Sequence, residues 1–115
     1  MKAIVECFEN REAFGPNSPV FWEEEQAAGF NSPLRYVARF VVEVQNLLDA
    51  RDAAFEIGNA PWQPTDTEGA GWPYNRRSLS SGDVVVVSSA SGDDEATAWL
   101  CCSFGWAQLD TEIRA

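Results

Sequence analysis

The residues of this chain that could do chemistry are a serine cluster beside an aspartate (Ser78, Ser80, Ser81 and Asp83), three cysteines (Cys7, Cys101 and Cys102), and the carboxylates Asp93, Asp94 and Glu95. A serine nucleophile needs a neighbouring base to take its proton. The sequence has no histidine, and Lys2 is its only lysine, so the commonest base near neutral pH is missing. The serines therefore read as turn and capping residues. Asp83, next to Gly82, reads as a carboxylate that bonds local backbone donors. Cys101 and Cys102 are adjacent, so in a strand they point to opposite faces and make a poor pair of ligands for one metal. All three cysteines read as small buried apolar residues. Asp93, Asp94 and Glu95 lack the alternating spacing and ligand count of a calcium loop and read as a solvated hairpin tip. Gly69-Ala70-Gly71 is not followed by the lysine of a phosphate-cradling loop. No catalytic residue, cofactor or metal is expected, and the chain reads as a non-enzyme.

Charge is the stronger signal. Eighteen acidic against eight basic residues give a net charge of -10, with the excess in residues 1–33 and 78–115 and a nearly neutral middle. Such a field repels nucleic acid and anionic lipid and attracts basic protein surfaces, within a Debye length of about 8 Å at physiological salt. Glu23, Glu24 and Glu25 form one acidic group and Asp93, Asp94 and Glu95 a second. A different chemistry is grouped in the centre, where Trp62, Trp72 and Tyr74 precede Arg76 and Arg77. Flat rings beside guanidinium groups suit base stacking and phosphate contact, although the same rings could plug one end of a barrel while the arginines pair with Asp66 or Glu68.

These groups must be positioned by a single domain, because 115 residues with 45% apolar content support one core. Ala3, Val5 and Cys7 alternate with charged residues as in a half-buried strand. Gly15 to Pro19 is a loop, and Val20 to Ala28 suits a short acidic helix. Tyr36, Ala38, Phe40, Val42 and Val44 place one face of a second strand on the core. A principal helix over 47–58 follows, capped by Asn46 or Asp49, with Leu48, Ala53, Ala54 and Ile57 inward and Gly58 at its end. Residues 59–78 form an ordered loop rich in proline and tryptophan. Ser81-Gly82-Asp83 turns into a strand of four valines, Val84 to Val87, with Gly82 free to adopt positive φ. A hairpin leads to a last strand from Ala96 through Phe104 to Trp106, with Ala98, Leu100, Cys102, Phe104 and Trp106 on one face and Trp99, Cys101, Ser103 and Gly105 on the other. The fold class is α+β: a small, mainly antiparallel curved sheet or partly open barrel of four or five strands with one principal helix.

The run Asp52-Ala53-Ala54-Phe55-Glu56-Ile57-Gly58-Asn59, the irregular proline-rich segment, Arg77-Ser78-Leu79-Ser80-Ser81-Gly82-Asp83-Val84-Val85 and the ending Phe104-Gly105-Trp106 together resemble the small YodL-like domain family of bacteria and phages. The resemblance covers roughly residues 36 to 110. It implies a small α+β unit with no defined activity and supplies no catalytic residue. Residues 1–33, including Glu23, Glu24 and Glu25, form an extension outside it. The entry Gly82-Asp83-Val84 is also similar to that of small PUA-like barrels.

The expected function is a non-enzymatic acidic interaction protein, a phage or mobile-element accessory that binds or inhibits a host or phage protein. Its sharper form is a DNA mimic, with Glu23, Glu24, Glu25, Asp93, Asp94 and Glu95 standing in for phosphates against a nucleic-acid-binding protein. The alternative is a nucleic-acid or nucleotide-binding module that uses Trp62, Trp72, Tyr74, Arg76 and Arg77. An odd cysteine count without a disulfide or zinc pattern, no long apolar run and no signal-like start predict a cytoplasmic protein without a membrane segment. An exposed edge strand would also allow a homodimer.

Overall fold

The computed structural model describes residues 1–13, 15, 16, 19, 22–59, 67, 68, 78–92 and 95–110. Its elements are β1 (Lys2–Asn10), α1 (Glu24–Ala27), β2 (Leu34–Glu43), α2 (Leu47–Asn59), β3 (Thr67–Glu68), β4 (Val84–Ser89), β5 (Thr97–Cys102) and β6 (Gly105–Leu109). The strands form one open antiparallel sheet in the order β3-β2-β1-β4-β5-β6. Five strands carry the sheet, and β3 adds two residues at one edge. With one principal helix, the fold is α+β with a curved open sheet.

Both faces of this sheet are covered. On one, Ala3, Val5 and Cys7 of β1, Ala38, Phe40 and Val42 of β2, and Val85 and Val87 of β4 meet Ala50, Ala54 and Ile57 of α2. On the other, Phe8, Leu34, Val84, Ala98, Leu100, Cys102, Ala107 and Leu109 meet Trp22, Ala27 and Phe30. The valine run of β4 is thus buried on alternate sides by two different covers, which explains why it shows no polar face.

Five sequence expectations need correction, three of them about which way side chains face. Tyr36 does not share the core face of β2. Cys7 pairs with Ala38 and Phe8 with Tyr36, so Val37 is the extra residue of a β-bulge and every side chain before it changes face. Tyr36 stands 45% exposed, with its ring edge-on to Phe8 at 5.8 Å. The last strand is two strands: Ser103 and Phe104 form a turn between β5 and β6, with Cys102 opposite Gly105. Gly105 has φ 97° and neither Ser103 nor Phe104 has positive φ, the pattern of a turn completed by a left-handed glycine. The third correction concerns α2, whose buried stripe is Ala50, Ala54, Ile57 and Gly58 while Leu48 faces solvent.

The boundaries of α2 follow from its caps. Asn46 accepts the Asp49 N–H through Oδ1 at 3.1 Å, satisfying one of the unpaired donors of the first turn. Gly58 lies inside the helix and does not end it. Asn59 closes the helix instead: its Nδ2 donates to the Phe55 carbonyl at 2.8 Å and to the Leu79 carbonyl at 3.1 Å, and the Leu79 N–H bonds the Gly58 carbonyl. The short acidic helix also shrinks, from the expected 20–28 to Glu24–Ala27.

Candidate interaction surface

The serine and aspartate cluster builds structure. Asp83 N–H bonds the Ser80 carbonyl at 3.1 Å and Gly82 has φ 94°, which together define a tight turn needing glycine at its third position. A Cβ on Gly82 would lie 2.8 Å from the Trp22 ring, so the indole also requires glycine there. Asp83 is only 1% exposed. Its Oδ1 accepts the Asn10 N–H at 2.9 Å and its Oδ2 the Ser80 N–H at 2.8 Å. Asn10 returns a bond from Nδ2 to the Gly82 carbonyl and accepts the Glu12 N–H. The Asp83 carboxylate thus ties the end of β1 to the start of β4, as a hydrogen-bonded buried carboxylate must.

The thiols sit around this knot. Cys7, Cys101 and Cys102 are buried and free. Burial raises the Cys7 thiol far above its ordinary range, with the Asp83 charge adding to the effect. Burial and then Asp83 push Cys101 up to about 12. Burial also raises Cys102, with Glu23 and Glu24 contributing. A thiol held protonated is a poor nucleophile. Among the described residues no group of His, Cys, Asp and Glu could hold a metal ion.

The acidic groups are placed apart. Glu23, Glu24 and Glu25 are exposed, and Glu23 starts α1 with extended backbone while its N–H donates to Gln26 Oε1 at 2.8 Å. α1 packs on β6, and Ser103 N–H bonds the Trp22 carbonyl at 2.7 Å, so this group stands near the end of β5. Glu95 is exposed just before the start of β5. The length of β5, about 17 Å at a rise of ~3.4 Å per residue, separates Glu95 from the group of Glu23, Glu24 and Glu25. Asp93 and Asp94 lie outside the described residues, as do Trp62, Trp72, Tyr74, Arg76 and Arg77.

The structure assembles one cluster that the linear pattern had scattered. The Arg51 guanidinium of α2 lies 4.4 Å from the Trp99 ring centroid and 5.9 Å from that of Trp106. Trp106 Nε1 donates to Asp52 Oδ1 at 3.2 Å, and Trp99 Nε1 to Thr97 Oγ1 at 2.9 Å. Register explains it: Trp99 opposes Gln108 and Cys101 opposes Trp106, so both indoles share the α2 face. The sequence signal was Ser103-Phe104-Gly105, whose glycine marks a turn; read as continuous strand, it put the two tryptophans on opposite faces. Phe104 projects from this turn, 85% exposed.

No family model matches the chain, and no curated protein or solved structure is similar to it. Among the described residues no helix is long and apolar enough to cross a membrane.

Proposed function

We propose that this protein is an acidic, non-enzymatic binding module whose target is a protein with a basic surface. The observation that carries this reading is the exposed carboxylate group Glu23, Glu24 and Glu25, held beside β6 by an ordered helical turn in a chain of net charge -10. Asp83 and the three thiols, the groups best able to do chemistry, are buried, which supports binding over catalysis. The resemblance to YodL-like domains makes a phage or mobile-element accessory that acts on a host protein in the cytoplasm the favoured setting. In its sharpest form the module mimics DNA, with the α1 carboxylates and those of the β4–β5 connection contacting separate parts of a nucleic-acid-binding protein.

The test is affinity capture from a bacterial lysate with the wild type and a Glu23→Lys, Glu24→Lys, Glu25→Lys variant, at low and high salt, with and without nuclease. A protein recovered by the wild type alone, insensitive to nuclease and weakened by salt, is the expected result. Nucleic acid recovered equally by both proteins would overturn the reading.

A further inference from the structure

β6 ends the sheet, and the ladder with β5 fixes which way its backbone groups point. Cys101 bonds toward β4, its carbonyl accepting the Gly82 N–H at 2.7 Å and its N–H reaching the Asp83 carbonyl at 2.8 Å. Alternation along an antiparallel ladder then turns Ala98, Leu100 and Cys102 toward β6, where their register partners are Leu109, Ala107 and Gly105. Trp106 and Gln108 consequently direct their N–H and C=O groups away from the sheet. No backbone bond from another described residue meets them.

Edges of this kind are usually guarded by lysine, proline, a bulge or brevity. At the opposite edge, among the described residues, β3 covers only Val41 and Val42 of β2, and the remainder of β2 carries the bulge at Val37 and the exposed cations Arg35 and Arg39. β6 reads Gly105-Trp106-Ala107-Gln108-Leu109, without lysine or proline, and pairs with β5 without a register shift. Its surroundings are acidic. Exposed Glu23 and Glu24 open the helical turn that packs on β6 from the α1 side, Asp52 meets Trp106 on the α2 side, and exposed Asp110 follows the strand. Among the described residues, the cation Arg51 lies over the two indoles.

We infer that β6 is a docking edge for an extended lysine- or arginine-bearing segment of another protein, which adds to the sheet by pairing with Trp106 and Gln108. Main-chain bonds supply the affinity in such strand addition and side chains supply the choice of partner. Carboxylates on both sides of the edge suit cations on either face of the incoming strand. A second copy of this chain suits it poorly, because pairing β6 with β6 would bring two sets of Glu23, Glu24, Asp52 and Asp110 together. The inference rests on the proposed protein-binding reading and narrows it to one edge and one chemistry.

The probe is a capped peptide of alternating lysine and valine. Controls are a lysine–proline peptide of equal charge, which lacks half the strand donors, and a glutamate–valine peptide. Amide exchange of 15N-labelled wild-type protein is followed by NMR. The lysine–valine peptide is expected to bind and slow exchange at Trp106 and Gln108, and the controls to bind at least about tenfold more weakly. Gln108→Pro, which removes one outward N–H at a position where an edge strand tolerates proline, is expected to weaken binding by a similar factor. Glu23→Gln with Glu24→Gln is expected to reduce its salt dependence. Equal binding of the lysine–proline peptide, slow exchange at both amides in the free protein, or slowing that depends on protein concentration alone would overturn the inference. Capture of a salt-sensitive protein partner by Gln108→Pro as well as by the wild type would also overturn it, while leaving the general binding reading in place.

Discussion

At the scale of single residues, the Gly82-Asp83 pair is where local conformation, packing and hydrogen bonding coincide. Asp83→Ala leaves the buried Asn10 N–H and the part-buried Ser80 N–H without their acceptor. At ~1–3 kcal/mol for each orphaned donor, a loss of about 3 kcal/mol is expected in urea denaturation. Gly82→Ala meets the Trp22 ring and a left-handed backbone together, and should cost about 2–4 kcal/mol by the same measurement. The thiols give a pH prediction. Cys101 holds its proton up to about 12, whereas the ordinary thiol loses it near 9. The folded state therefore binds more protons between those values, so this contribution to stability is complete below about pH 9 and is lost as pH rises toward 12. Urea midpoints should fall on raising the pH through 9 to 11, and less steeply in Cys101→Ala. With a thiol reagent at neutral pH, the native protein should stay unlabelled and the urea-unfolded protein should label at all three cysteines.

At the scale of elements, the α2 contact with β5 and β6 deserves a direct measurement, because it is the feature that periodicity concealed. A double-mutant cycle of Arg51→Met and Trp99→Leu should give a coupling of about 0.5–1 kcal/mol for the guanidinium over the indole. A coupling near zero would reduce the contact to incidental packing. Asn46→Ala removes the cap of α2 and should cost about 1 kcal/mol. Strand and helix existence was legible for β1, β2, α2 and β4, since β-branched runs, alternation and a capping asparagine act within a few residues of chain. The bulge at Val37 was not legible. It depends on how β2 is paired to β1, and without that register Tyr36 alternates with Ala38 as any strand residue would. The β5–β6 turn carried a local signal in Gly105, but apolar residues on both sides of it outweighed that signal.

At the scale of the whole molecule, one sheet covered on both faces carries an excess of negative charge, and self-repulsion should be visible in its stability. Melting temperature is expected to rise with added sodium chloride at low ionic strength, and the Glu23→Lys, Glu24→Lys, Glu25→Lys variant should show a smaller rise. A flat salt response in both proteins would show that the charges are too well solvated to matter. By itself the sequence determined the α+β class, the principal helix, the glycine turn into β4, the burial of the cysteines and the acidic balance, because propensity, alternation and composition are properties of short segments. Only the tertiary structure decided that Asp83 is bonded to Asn10, that Arg51 meets two tryptophans, and that β6 is left at the edge with carboxylates on either side. Each of these joins residues from distant parts of the chain, and such meetings follow from strand order and register, which local forces do not specify.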